Sequence, residues 1–272
     1  MLETLYIARH GFRLNWLSTN WKSETGLPRD PPLAAFGVTQ AEELGAYFSA
    51  LPEDQRPTAI FSSPYYRCLQ TAKPTSEALN IPIYVEHGLS EWYSPVAADT
   101  GLHPRPGSAS SLKTHFPQID PEGWSSIYYP SRKGEDVQEL HDRAKDFLVH
   151  FVPHVERRLP EHQHKRVLFF SHAATVIVLA RELIGKRDLP LRVGCCTLSE
   201  FVRKPEGKDV AGGWEAKRLA TGDFLTGGVQ RDWGMEDIEI ENGKVVNDSG
   251  EPGTENEVDE PVGLQVRMTS SL

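Results

Sequence analysis

The chain has 272 residues, 39% of them hydrophobic and 25% charged, with a formal net charge of −9. That length holds one sizeable α/β core with trimmings, and that composition is that of an ordinary globular domain. The acidic balance is a poor electrostatic match for bare nucleic acid, and no apolar run approaches the roughly 20 residues that span a bilayer.

Along the chain, Leu5-Tyr6-Ile7-Ala8 is a short apolar run that breaks into Arg9-His10-Gly11, the pattern of a buried strand ending in a polar loop. Residues 17–33 are rich in Asn, Ser, Pro and charge and read as an irregular excursion. A helix is expected from Thr39, with Ala41, Leu44 and Phe48 on one face, until Leu51-Pro52 ends it. Thr58–Phe61 is a second strand. Ser63 and Pro64 then suit the N-cap and first position of a helix running to about Leu79 and bending at Pro74. Ile83-Tyr84-Val85 is a third strand, leading to Gly88-Leu89-Ser90-Glu91-Trp92.

Residues 94–132, heavy in Pro, Gly, Ser and aromatics, read as an insertion over one end of the sheet with short helices at most. The clearest helix spans Glu135 to Arg158, with an apolar stripe from Val137 to Val155 and a kink expected at Pro153. Arg166–Ser171 is a buried strand. Ala173–Ile184 is a helix stopped by Gly185, and Cys196–Arg203 and Trp214–Leu219 are late edge strands. From Glu241 the chain holds seven acidic and two basic residues, so 241–272 is expected to be a disordered tail behind a domain of residues 1–240. Strands alternating with helices imply an α/β fold with helices on both sheet faces and ligands at the carboxyl ends of the strands.

Those carboxyl ends are where the chemistry gathers. Arg9, His10 and Arg13 follow the first strand, Arg67 lies on the first turn of the second helix, Glu91 follows the third strand and His172 the fourth. Three guanidiniums suit phosphate oxygens, which they bind in forked, charge-assisted geometry. An imidazole attacks phosphorus only when neutral, and flanking arginines disfavour its charged form. A carboxyl beside the leaving oxygen protonates it and later activates water, so two easier steps replace one hard hydrolysis. Each residue taken singly is more often structural, and the weight lies in their joint placement.

In order, LYIARHGFR, SSPYYRCLQTA, GLSEW and VLFFSHAATV resemble the histidine phosphatase superfamily, whose fold is phosphoglycerate mutase-like. The resemblance runs over about residues 4–185 and includes Leu33, Gly37, Gln40 and Ala41. It implies a three-layer α/β/α sandwich with a mostly parallel sheet, and a metal- and cofactor-free phosphomonoesterase. His10 then matches the phosphorylated nucleophile, and Arg9, Arg67 and His172 the phosphate pocket. Arg13 matches the extra arginine, and Glu91 the proton donor, of the branch holding the suppressors of T-cell receptor signalling.

The text YIARHGxRxNW, SPxYRCLxT and SHAA is also similar to a fungal group. It comprises the amino-terminal domain of the 55 kDa tau subunit of transcription factor IIIC and stand-alone phosphatases. The expected partners are therefore a phosphorylated small molecule or phosphotyrosine substrate. An alternative is an assembly role with transcription factor IIIC-like partners, in which the phosphatase domain is weak or vestigial. A mutase ranks last, because the mutase signature after the first motif is missing. Phe12 stands where many members carry Glu, a departure that bears on substrate choice more than on chemistry, and Ala173-Ala174 replaces the small Gly frequent after the second His, which slightly narrows that loop.

Several features have plainer readings. His150 and His154 have i, i+4 ligand spacing but no third ligand, so no metal is expected. Trp16, Trp92, Tyr93 and Trp124 suit either the substrate mouth or the core, and Cys68 a small buried apolar site. Three cysteines suggest no disulfide framework, and MLETLYIARHG has no signal-peptide pattern, so a cytoplasmic or nuclear location is expected.

Overall fold

The computed structural model describes residues 1–207, 209–241 and 244–266. Its centre is a sheet of strands β1 (Thr4–Arg9), β2 (Ala59–Ser62), β3 (Ile83–Val85), β4 (Arg166–Ser171), β5 (Leu198–Arg203) and β6 (Trp214–Thr221). They lie in the order β3-β2-β4-β1-β5-β6. β1 to β4 are mutually parallel, and β5 and β6 add an antiparallel edge.

Strand periodicity explains the layers. Leu5, Ile7, Phe61, Val167 and Phe169 point into one core with helices α3 (Val137–Arg158) and α4 (Ala173–Ile184). Their neighbours Tyr6, Ala8, Ile60, Leu168 and Phe170 point into the other, against α1 (Ala35–Ala50) and α2 (Tyr66–Leu79). A sheet covered on both faces needs continuous apolar runs, which is why VLFF is legible as a strand. The result is a three-layer α/β/α sandwich around a mostly parallel sheet. Among the described residues no helix is long and apolar enough to cross a membrane.

Three local expectations are corrected. Helix α1 begins at Ala35, ahead of Thr39, and carries Gly37 inside it. A Cβ on Gly37 would sit 2.1 Å from the Phe12 carbonyl oxygen, so the glycine lets the helix touch the loop after β1. Ser63 does not cap α2, which starts at Tyr66 behind Tyr65. The first-turn N–H of Tyr66 donates instead to Asp30 at 2.7 Å, and the Ser63 hydroxyl is taken by His172 at 2.8 Å. By contrast α3 is capped locally, by an Asp136–Glu139 capping box, and continues through Pro153.

The acidic tail is the third correction. Its described residues, 244–266, are not a free end. Asp248 and Glu251 pair with Arg29, Glu257 with Arg132, and Asp259 with Arg105. Backbone bonds join Asp248 to Pro95 and Ala97, and Glu251 to Leu102; Gly263–Leu264 pairs with Tyr128–Tyr129. Acidic composition predicted solvation, but Arg29 and, from the insertion, Arg105 and Arg132 supply the matching cations.

That insertion, 94–132, holds one helical turn at Ala109–Leu112 and plugs Trp124 and Ile127 into the core. Buried Glu86 ties it down by accepting from Trp124 Nε1 and the Ile127 N–H.

Candidate active site

Parallel register brings the two histidines together. Arg9 on β1 lies opposite Ser171 on the adjacent β4, so His10 and His172 leave neighbouring strands at the same level. The helices that follow them, α1 and α4, cross to opposite faces of the sheet, which opens a crevice between the strand ends. The imidazole centroids are 5.4 Å apart and both rings are buried.

His10 Nδ1 lies 2.8 Å from the Gly11 carbonyl oxygen. A carbonyl only accepts, so Nδ1 carries the proton and Nε2 keeps the lone pair. Burial first, then Arg67, Arg9, His172 and Arg13, hold the ring well below the usual histidine range, hence neutral. Arg9 is anchored from behind by the carbonyls of Val193 and Arg231. Arg13 stacks on Trp16, its guanidinium 4.3 Å from the ring centroid. Burial, then Arg67, pushes the Arg13 pKa down to about 10.

Arg67 is the hub. Its Nη1 donates to Asp30 Oδ1 at 2.9 Å; its Nη2 donates to Glu91 Oε2 at 3.0 Å and lies 3.1 Å from His172 Nδ1. Burial alone would favour its neutral form, but Asp30 and Glu91 outweigh it and keep it charged. His172 is clamped between this cluster on Nδ1 and the Ser63 hydroxyl on Nε2. Burial and Arg67 bring its pKa down to about 4 against the opposing pull of Glu91. Burial pushes Glu91 up, yet the His172 ring, Arg67 and Arg13 outweigh that and hold the carboxyl well below its ordinary range.

All six residues singled out by the sequence therefore border one crevice. His10, Glu91 and His172 each offer an atom within 4.8 Å of the others, a spacing that would suit a cation. Three neighbouring guanidiniums repel a cation and suit a tetrahedral anion instead. His150 and His154 are drawn to separate partners, Asp146 and the face of Trp124.

Comparison with known proteins identifies the family. The family model described as "Histidine phosphatase superfamily (branch 1)" matches residues 5–212, most of the chain. The chain belongs to the histidine phosphatase superfamily. It is 38% identical over 213 residues to the transcription factor tau 55 kDa subunit of Saccharomyces cerevisiae, covering 74% of this chain and 47% of that protein. It is 24% identical over 214 residues to the ecdysteroid-phosphate phosphatase of Drosophila melanogaster, covering 66% and 27%. The chain thus spans less than half of these relatives' lengths. Among solved structures, the tungstate complex of the ecdysone phosphate phosphatase of Bombyx mori superposes with a TM-score of 0.59 at 18% identity, over 81% of this chain and 93% of that one. This likeness fixes the fold, the phosphoglycerate mutase-like sandwich expected from the sequence.

Within this superfamily fold, the mouth of the crevice is lined by Arg13, Asn15, Trp21, Arg29, Arg67, Glu91, Trp92, Tyr93 and Asp248. Of the aromatics with two readings, Trp92 and Tyr93 face the mouth, Trp16 backs Arg13, and Trp124 is core. Phe12 packs edge-on to Trp16 and Phe36. Sequence reasoning missed Asp30, Arg29, Trp21, Asp248 and the true partner of Ser63. Only Asp30 left a signal: a buried arginine requires a counter-charge, and RDPP offers one in a loop that carries no apolar stripe.

Proposed function

We propose that the protein is a phosphomonoesterase working through a phosphohistidine at His10. The observation that carries this is the His10 ring, neutral, with Nδ1 held by Gly11 and Nε2 free among Arg9, Arg13, Arg67 and His172. His10 Nε2 attacks phosphorus and the P–O ester bond breaks. The arginines and His172 hold the three non-bridging oxygens as charge moves onto the leaving oxygen. Glu91 gives that oxygen a proton. Water, giving a proton back to Glu91, then attacks phosphorus and breaks the N–P bond, which restores His10 and releases phosphate.

Glu91 is ionised in the free protein. A dianionic ester beside it adds like charge and raises its affinity for a proton. The acid form therefore belongs to the substrate complex, where it is required. The named activity of the Drosophila relative supports the reaction class.

The test is p-nitrophenyl phosphate turnover, with protein denatured in alkaline detergent examined for acid-labile, base-stable phosphate on His10. Turnover that His10→Ala abolishes is expected; unchanged turnover in that variant overturns the proposal.

A second reading, membership of a transcription factor IIIC-like assembly, is favoured by the 38% identity to the yeast tau subunit. It would go with a nuclear location. Failure of the tagged protein to retain such a complex on affinity purification would remove it.

A further inference from the structure

The acidic segment after β6 lies outside the family match, which ends at residue 212, yet it reaches the mouth of the crevice. Asp248 lines the same cavity as Arg13, Arg67 and Glu91. It is fixed there from several directions. Its N–H donates to the Pro95 carbonyl at 3.0 Å, and its own carbonyl accepts from the Ala97 N–H at 2.8 Å. Three residues on, Glu251 donates its N–H to Leu102 at 2.9 Å, and Gly250 packs directly on the Gly101 backbone.

Both carboxylates converge on Arg29. Asp248 Oδ2 is 2.5 Å from Arg29 Nη1, Glu251 Oε1 is 2.9 Å from Nε, and the Ser249 carbonyl takes Nη2. Arg29 sits directly outside the phosphate pocket: its carbonyl is 3.4 Å from Arg67 Nη1, and it adjoins Asp30. Unpaired, this guanidinium would be a fourth arginine at the mouth, suited to a second anionic group. Paired twice, it offers that group no free fork, and the two carboxylates make the cluster around Arg29 net negative.

We infer that Asp248 and Glu251 are specificity-determining residues that restrict the site to monoesters whose single phosphate is their only anionic group near the ester. This rests on the phosphatase reading of the inner pocket but concerns a different set of residues. The inner arginines bind the phosphate, and the strap neutralises the one arginine that would welcome a second charge. The leaving group then meets Trp21, Trp92 and Tyr93.

Two non-hydrolysable probes separate this inference from the reaction: benzylphosphonate and 1,4-xylylenediphosphonate, titrated calorimetrically at neutral pH and low salt. The wild type is expected to bind the monophosphonate at least as tightly as the diphosphonate. In Asp248→Asn/Glu251→Gln the diphosphonate should tighten about tenfold, the worth of one charge-assisted contact, and the monophosphonate less than about twofold. Adding Arg29→Met should erase the gain.

Equal changes for both probes, a gain that survives Arg29→Met, or no binding of either probe would overturn the inference. If the double variant melts early, the single Asp248→Asn change, at a half-exposed side chain, reads the same ratio with a smaller effect. Because neither probe is cleaved, absent p-nitrophenyl phosphate turnover would sink the phosphatase reading and leave this result standing.

Discussion

Asp30 is the residue on which the placement of Arg67 turns. It is buried, accepts from Arg67 Nη1 at 2.9 Å and receives the Tyr66 N–H at 2.7 Å, so one carboxylate both pairs a buried cation and caps α2. Asp30→Ala leaves Arg67 with Glu91 as its remaining carboxylate and orphans the N–H at the start of the helix. Breaking a buried pair costs about 3–5 kcal/mol and losing a cap about 1. Because Glu91 still holds Nη2, the lower end applies, about 3 kcal/mol. For a chain of this size that is a fall of about 6–12 °C in Tm. Asp30→Asn keeps one acceptor but turns an NH2 towards the other donor, so an intermediate loss is expected. Calorimetric melting reads the stability, and orthovanadate titration reads the pocket. Vanadate affinity should drop about tenfold or more, because Arg67 loses one of the two carboxylates that orient it. A melting temperature and a vanadate affinity both equal to wild type would show that Arg67 is held by Glu91 and packing, and would refute this account of the hub.

Glu91→Gln keeps size and acceptor but cannot shuttle a proton. Turnover of an alkyl monoester should fall about 10²–10⁴-fold and that of p-nitrophenyl phosphate far less, since nitrophenolate needs little protonation; equal losses would assign Glu91 to binding alone. Acid should destabilise the fold through its buried histidines. His172 titrates near 4 when folded, against about 6.5 unfolded, so between those values the unfolded chain binds more protons. Its stabilising contribution is complete above pH about 6.5 and lost as pH falls towards 4, about 3 kcal/mol in all. Tm measured down this range should fall, and fall less in His172→Asn; parallel profiles would refute the assignment. Gly37→Ala would stabilise an ordinary helix interior by about 1 kcal/mol. Here the new Cβ meets the Phe12 carbonyl at 2.1 Å and the Phe12 nitrogen at 2.7 Å, backbone atoms that cannot rotate away. A net loss of about 1–3 kcal/mol by denaturant titration is expected, and a gain would refute the contact.

The sheet was legible because it is buried on both faces. Residues such as Val167-Leu168-Phe169-Phe170 must all be apolar, two for each helix layer. The placement of the six site residues was legible for a topological reason: parallel strands deliver their carboxyl ends to one edge, so residues that follow strands meet in space. Partners reached only through tertiary packing were not legible. Asp30 lies 37 residues from Arg67, Ser63 lies 109 from His172, and Arg29 lies 219 from Asp248. The tail shows the limit of composition most clearly. An acidic run reads as solvated unless its cations are known, and Arg29, Arg105 and Arg132 belong to other segments.

The positions where local rules fail surround the crevice. Ser63-Pro64 carries a strong helix-start signal, yet the hydroxyl is taken by His172, whose ring orientation depends on it. Gly37 interrupts a helical pattern because the loop bearing Phe12 must lie against α1, one residue beyond Gly11, whose carbonyl sets the His10 tautomer. Arg29, with φ at 59°, adopts a backbone conformation that a branch-free but bulky side chain rarely takes, and its neighbour Asp30 is thereby turned into the protein. In each case a local cost is accepted where a side chain of the crevice needs a fixed direction. A helix start, a glycine or a positive φ that contradicts its own sequence context is thus informative about the site. In this chain such conflicts point to the groups that hold Arg67, His10 and His172 in place.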